Sequence, residues 1–530
     1  MRALRGLLAP LTAAFVGGAA AFLFQATAQT ARGIESAPLT QLDGWGVGAL
    51  TRAQGALPAS LWAQSDPATL SVLFDRVPSV FDSPAALALA RRALLSAGQA
   101  PRGDGVEDAM RKRFGALGRM GAADDLAMMA AGAGPAATDP AVAQYAAQAE
   151  LARARRPDAC LRGRTAGGDQ PSTFLLRLRA YCAAAQGERA AADLALALVR
   201  SQTPDDAWFR TALGGVGDGA ARPTVAARYD NSLNAAVSLA ANLRAGANPL
   251  NGASTLALST LARTETTPQP LRSQAALLAL RRGALSPAQA KQILLAAPAE
   301  AAGLPPATAA LRQARAEPGG LPAAAAVAEA LRAAAAPTDV AAVAALLHEE
   351  IAALTTAPDA AAAVLFARAA IVTGDAPLAA RLTQSAAAGG AAPASLGPLQ
   401  TALSILSGES DAMAARRRID QGGARAAARD VAILAALDAP LDSGARAFLI
   451  ANPPSGGRAA DSGLAAALAS AADRGAVGEA ALISAIITAP GPATLDAAAL
   501  NTVLRALRAA NLPAAARSLA IEAVLAGQPS

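Results

Sequence analysis

One histidine and two cysteines bound the chemistry open to this 530-residue chain. A Ser-His-Asp or Cys-His nucleophile would have to use His348, and a zinc site would find a single imidazole there. The context AALLHEEIAAL predicts a mid-helix position, and Glu349-Glu350 do not complete the two-histidine metalloprotease pattern. His348 reads as an ordinary helix-surface residue. Cys160 and Cys182 lack a CxxC spacing, so neither a metal knuckle nor a redox pair is indicated. Gly214-Gly-Val-Gly-Asp-Gly219 is dense in glycine, but it follows a helical pattern and no Lys-Ser or Lys-Thr succeeds it. It reads as an inter-helix loop. The carboxylate pairs Asp124-Asp125 and Asp205-Asp206 fall at helix starts, where they complement the helix dipole. A glycosidase needs two convergent carboxylates on a cleft, and no compact aromatic-rich stretch supplies one. The residues point away from an enzyme and indicate no metal and no cofactor.

The elements that carry these residues follow from composition. Hydrophobic residues make up 53% of the chain and aromatics only 3%, with alanine supplying much of the apolar content. Alanine favours helix strongly, whereas strands want β-branched and aromatic side chains. The chain is predicted to be all-α. The formal charge is +6, and Lys112 and Lys291 are the only lysines. The arginines are scattered, and the tightest cluster, Arg111-Lys112-Arg113, lies one turn from Glu107 and Asp108. A nucleic-acid surface would interleave basic and aromatic residues, so nucleic acid is not an expected partner.

Arg2 and Arg5 precede an apolar run from Leu7 to Phe24, and Ala26-Thr27-Ala28 offers a cleavage site. Residues 1–28 are therefore expected to be a Sec-type signal peptide, with an uncleaved membrane anchor as the alternative. No later segment is apolar enough to span a bilayer. The expected location is the periplasm of a Gram-negative bacterium, an oxidising compartment that favours a disulfide between Cys160 and Cys182, with two buried, unpaired thiols as the alternative. Two helices folded over Thr165-Ala-Gly-Gly-Asp169 would bring the sulfurs together, adding ~3 kcal/mol by loop entropy.

Along the mature chain, residues 29–57 read as an extended lead-in whose Trp45 docks on the first helices. Residues 58–296 read as a helical-repeat domain, 297–321 as an Ala/Pro/Gly-rich hinge or loop, and 322–530 as a second helical region. Asn452-Pro-Pro-Ser-Gly-Gly457 is a shorter break. Asp66-Pro67, Ser83-Pro84, Asp139-Pro140, Thr203-Pro204 and Ser286-Pro287 each place a capping side chain before proline, which predicts five helix starts. Ser286-Pro-Ala-Gln289 is also a capping box.

The segment AYCAAAQGERAAADLALALVRSQTP resembles a tetratricopeptide hairpin, with Gly187 at the turn, Ala192 at the small contact position and Pro204 at the end. Arg179 and Ala180 stand where that pattern has Leu-Gly. FARAAIVTGDAPLAARLTQSA resembles it again through Gly374, Ala379 and Ala386, and LRALRAANLPAAARSLAIEAVLA through Asn511, Ala516 and Ala523. These copies predict an irregular, tetratricopeptide-like α-solenoid in one array or two halves. Leu61-Trp62, the Ser83-Pro84 cap, Arg91-Arg92-Ala93-Leu94-Leu95, Cys160 and Tyr181-Cys182-Ala183 resemble alphaproteobacterial exported helical proteins labelled "antifreeze glycopeptide" by composition. That resemblance implies a periplasmic helical-repeat protein without a defined activity. The Thr-Ala repeats of ice binding are absent.

The expected job is a non-catalytic scaffold binding protein partners of the cell envelope, in assembly or motility, with membrane contact only through an uncleaved signal segment. A cell-wall-active enzyme and a self-assembling, oligomeric structural protein are the alternatives. Trp208, Arg210, Arg228 and Tyr229 are the candidate partner-binding residues, because aromatic and arginine side chains most often anchor interfaces.

Overall fold

Side chains as small as alanine let helix backbones approach closely, and most of the described helices bury alanines. In the computed structural model the described residues are 44–168, 171–202, 206–217, 220–298, 303–408 and 412–526. They form 27 α-helices and three short 3-10 segments, and among them no strand occurs. Two isolated bridges, Ala226 with Arg244 and Arg458 with Leu495, are the only β pairing they show. The all-α expectation holds. The signal segment 1–28 and most of the lead-in lie outside the described residues, and so does Thr203-Pro204.

The local signals act as their chemistry requires. Asp66, Ser83, Asp139 and Ser286 each cap a helix with a proline in its first turn. Ser286 and Gln289 close the reciprocal box, backbone N–H to side chain in both directions. The three hairpins form: Thr173–Ala185 packs on Arg189–Gln202, Ala360–Thr373 on Ala376–Ala388, and Ala497–Ala509 on Pro513–Ala526. Gly187 takes φ +79° at the first turn, a conformation that costs other residues a Cβ clash. Ala379, Ala386, Ala516 and Ala523 are fully buried at the small contact positions.

Within 297–321 the described residues hold a helix, Pro306–Ala316, and not an open connection. Pro306 at its first turn loses no bond it needed, and Ala307, Ala310, Leu311 and Ala314 are buried in the main core. The 452–457 break is a loop that pairs with a distant turn: Arg458 N–H donates to Thr494 O at 2.7 Å, and Asp496 N–H to Arg458 O at 2.9 Å.

The first helices also meet the last. Pro84–Leu95 packs on both Val477–Thr488 and Pro513–Ala526. Gly478 N–H donates to Leu61 O at 2.9 Å, and Asp82 N–H to Ala489 O at 2.8 Å. A Cβ on Gly478 would stand 2.3 Å from the Trp62 ring, so only glycine permits this approach. In an open solenoid each repeat touches only its neighbours; here one buried cluster takes residues from 45 to 149 and again from 280 to 525. Between those stretches the chain makes an excursion with its own clusters, one spanning 147–243 and one spanning 229–293.

Trp45 docks as expected, against Trp62 and Phe74 at centroid distances of 6.0 and 6.2 Å. Arg113 holds the segment that carries it. Its buried guanidinium donates to the carbonyls of Leu94, Gly44, Trp45, Val47 and Ser96. Its neighbours in sequence stay near solvent: Arg111 pairs with Asp139, and Lys112 with Asp75.

Candidate functional site

The excursion carries all the candidate residues. Cys160 on Arg156–Thr165 and Cys182 on Thr173–Ala185 form a disulfide with Cα atoms 5.8 Å apart. The expected fold-back brings them together. The next helix, Arg189–Gln202, turns Ala192, Ala195 and Val199 inward. Its opposite face is apolar too. Leu194 is 65% exposed and Leu198 48% exposed, and Ala191 and Ala197 are exposed beside them. Residues three and four apart share a helix face, so these four make one outward apolar stripe. Sequence spacing places Ala191, Leu194 and Leu198 on one packed face with Ala192, Ala195 and Val199, whereas the structure turns the first three outward.

Beyond it, Asp206 organises the aromatic residues. Its side chain caps Ala207–Gly214 by accepting from Phe209 N–H at 3.2 Å. Arg177 lies 3.3 Å and Arg228 3.7 Å from its oxygens. Each guanidinium also stacks on a ring, Arg177 over Phe209 at 5.4 Å and Arg228 over Trp208 at 4.8 Å. Such stacking adds attraction between the cation and the ring's negative face. Trp208 Nε1 donates to Ala226 O at 2.7 Å.

Against known proteins the chain matches no family model, no curated protein and no solved structure.

Of the four candidate residues, Trp208 and Tyr229 are only 7% and 6% exposed. Trp208 and Arg228 are brought together, while Tyr229 belongs to the next cluster and its backbone carbonyl accepts from Ser254 N–H. Burial pushes the Tyr229 hydroxyl up from its ordinary value. Arg210 is exposed and lines a cavity of about 260 Å³ with Arg177, Arg200 and Asp206. Arg210 and Arg228 therefore offer side chains to solvent, and Trp208 lies beneath Arg228.

The remaining charged residues tie elements together. His348 opens a short helix, His348–Ala353, and does not sit mid-helix, because the chain leaves helical geometry at Leu347. Its Nε2 lies 3.1 Å from Asp375 Oδ2. Asp124 joins both ends of the excursion to the main body: Arg263 grips it with two bonds of 2.8 and 2.6 Å, while Arg153 and Gln289 add one each. Burial pushes its carboxyl up, but the bonds and charge of Arg263, with Gln289 and Arg153, bring it down to about 2. Asp430 is buried against Arg418 at 2.7 Å, and there burial wins, raising its carboxyl to about 6. Among the described residues no three of His, Cys, Asp and Glu converge as a metal site requires.

Proposed function

We propose that the protein is a non-catalytic periplasmic scaffold, an irregular array of tetratricopeptide-like hairpins, that binds a protein partner of the cell envelope. The observation that carries this reading is the outward stripe of Leu194 and Leu198 on Arg189–Gln202. A monomeric surface gains nothing from two exposed leucines one turn apart, and such stripes mark interaction sites. The back of this helix is packed against a disulfide-clamped neighbour, so little ordering entropy is lost on docking. An amphipathic helix with anchors at i and i+4 fits an apolar groove or a second apolar helix. The buried Trp208 holds Arg228 at the rim by stacking, where charges steer association more than they hold it.

A photocrosslinking residue at Ala197, in the full chain expressed in its native host, tests this. The expected result is one stoichiometric envelope adduct in the periplasmic fraction, lost in a Leu194→Asp, Leu198→Asp double variant whose melting temperature is unchanged. An adduct indifferent to the double variant overturns the docking stripe. A sole adduct with a second copy of this chain assigns the stripe to self-assembly instead.

A further inference from the structure

A cavity of about 240 Å³ lies where Pro84–Leu95, Pro337–Leu346, Ala360–Thr373, Pro393–Ser407 and Pro513–Ala526 converge. Its walls are mainly apolar, with Val340, Ile371, Leu406 and Leu525 among them. Two ionisable side chains also line it, Glu522 and Arg368. Glu522 Oε2 accepts from Ser83 Oγ at 2.8 Å and from Ala85 N–H at 3.0 Å. Those bonds cap the helix that starts at Pro84 and account for one oxygen. Glu522 Oε1 is buried with no hydrogen-bond partner, and so is Arg368 Nε. Buried polar atoms are nearly always satisfied, and a buried atom left without a partner costs its desolvation. Two such atoms of opposite character on one apolar cavity need an explanation that capping does not give.

We propose that this cavity binds a small apolar zwitterion, of the chemical class of an aliphatic amino acid. Its carboxylate would satisfy Arg368, its ammonium Glu522 Oε1, and its branched tail would lie on Val340, Ile371, Leu406 and Leu525. A simple carboxylate would leave Glu522 Oε1 without a partner, and a simple amine would leave Arg368 so. A neutral zwitterion supplies both partners without adding net charge to a low-dielectric site. The volume sits just below the roughly 300 Å³ at which drug-sized ligand pockets begin, which excludes nucleotides and longer peptides. Burial raises the Glu522 carboxyl to about 7 in the cavity as it stands; an ammonium group alongside would draw it back toward the ionised form.

Titration calorimetry and thermal shift on the full disulfide-bonded chain test the proposal with L-leucine, 4-methylpentanoate and 3-methylbutylamine as probes. L-leucine is expected to bind and to raise the melting temperature. The two analogues, each lacking one charged group, are expected to bind roughly tenfold or more weakly, the loss of one charge-assisted contact. Arg368→Met and Glu522→Gln should each weaken leucine to a similar degree, while Leu194→Asp with Leu198→Asp should leave it unchanged. Absence of any heat or shift with leucine overturns the proposal, as does a carboxylate analogue that binds as tightly as leucine. The ligand series on the unsubstituted protein decides the question even if a variant fails to fold.

Discussion

Trp208, Phe209, Cys160 and Cys182 share a cluster confined to residues 147–243, whereas Trp45, Trp62 and Phe74 share one that reaches from the first described helices to Leu525. The difference is one of reach. The main body closes on itself between its first and last described helices, so its helices are held by contacts that all form together. Its seam is dense in bonds: Asp66 N–H to Glu479, Ser83 to Glu522, Gly478 N–H to Leu61 O, and Asp82 N–H to Ala489 O. The excursion has two smaller cores of its own and joins the body through Asp124 and through the packing of Ser232–Ala240 and Thr255–Arg263 on Pro140–Ala152. A small core rarely suffices alone, and a covalent link is the common supplement. The excursion should therefore be the separable, lower-stability unit and the body the cooperative one.

The largest effect that would break this contrast comes from Arg113. Arg113→Met removes a buried guanidinium and the bonds it donates to five carbonyls between Gly44 and Ser96, of which Trp45 O keeps the N–H of Gly98. Urea unfolding should show a loss of about 3–5 kcal/mol, and tryptophan fluorescence should report the same transition as circular dichroism. If Trp45 becomes solvated while the main unfolding midpoint stays put, the body is not one cooperative unit.

Removing the disulfide probes the other side. Cys160→Ser with Cys182→Ala should cost about 3 kcal/mol by loop entropy, but locally. Hydrogen exchange is expected to quicken across residues 156–244 and to stay unchanged across 61–95 and 474–525. Equal loosening of both regions would erase the distinction.

The seam has a pH signature of its own. Burial raises Glu522 from 4.5 to about 7, so the folded chain holds a proton that the unfolded chain has released. Stability is then full below about pH 4.5 and declines as pH rises toward 7, by up to roughly 3 kcal/mol. Asp430, raised from 3.8 to about 6 by burial, adds a decline in the same direction over a lower window. Asp124, held at about 2, acts oppositely, its stabilisation being lost only as pH falls below about 4. Glu522→Gln keeps acceptors for Ser83 and Ala85 and removes the charge, so denaturation midpoints of variant and parent should agree near pH 4.5 and diverge toward pH 8, the variant being the more stable. Parallel curves would show that the seam carries no buried charge.

How much of this the residues announce depends on the distance over which they act. Caps at Asp66, Ser83, Asp139 and Ser286 and the turn at Gly187 are legible because each involves atoms within a few residues. The disulfide was legible because its two helices share one short turn. The seam was not. Glu522 in LAIEAVLA looks like a polar face of a helix, and its partners lie more than four hundred residues away. Arg113 is preceded by Arg111 and Lys112, which face solvent, and nothing in the triplet marks the middle of a core. Pro305-Pro306 reads as a break until neighbouring helices bury Ala307 and Leu311. The docking stripe failed to register for another reason: Leu194 and Leu198 have the spacing of core residues, and only the fold shows that Ala192, Ala195 and Val199 already fill that side.

The smallest prediction separates charge from packing inside the excursion. Asp206→Asn keeps the side-chain oxygen that caps Phe209 N–H and removes the negative charge between Arg177 and Arg228. Both ion pairs are partly solvated, their Asp206 side chain being 23% exposed, and pairs of that kind contribute about 0.2–1 kcal/mol. Each arginine also keeps its ring, Phe209 or Trp208, and that attraction does not need the carboxylate. Thermal unfolding is therefore expected to shift by no more than that amount, whereas salt should affect the variant less than the parent. A loss several times larger would mean that Asp206, and not the disulfide, holds the excursion together, and the covalent link would then be supporting a fold that its charges already define.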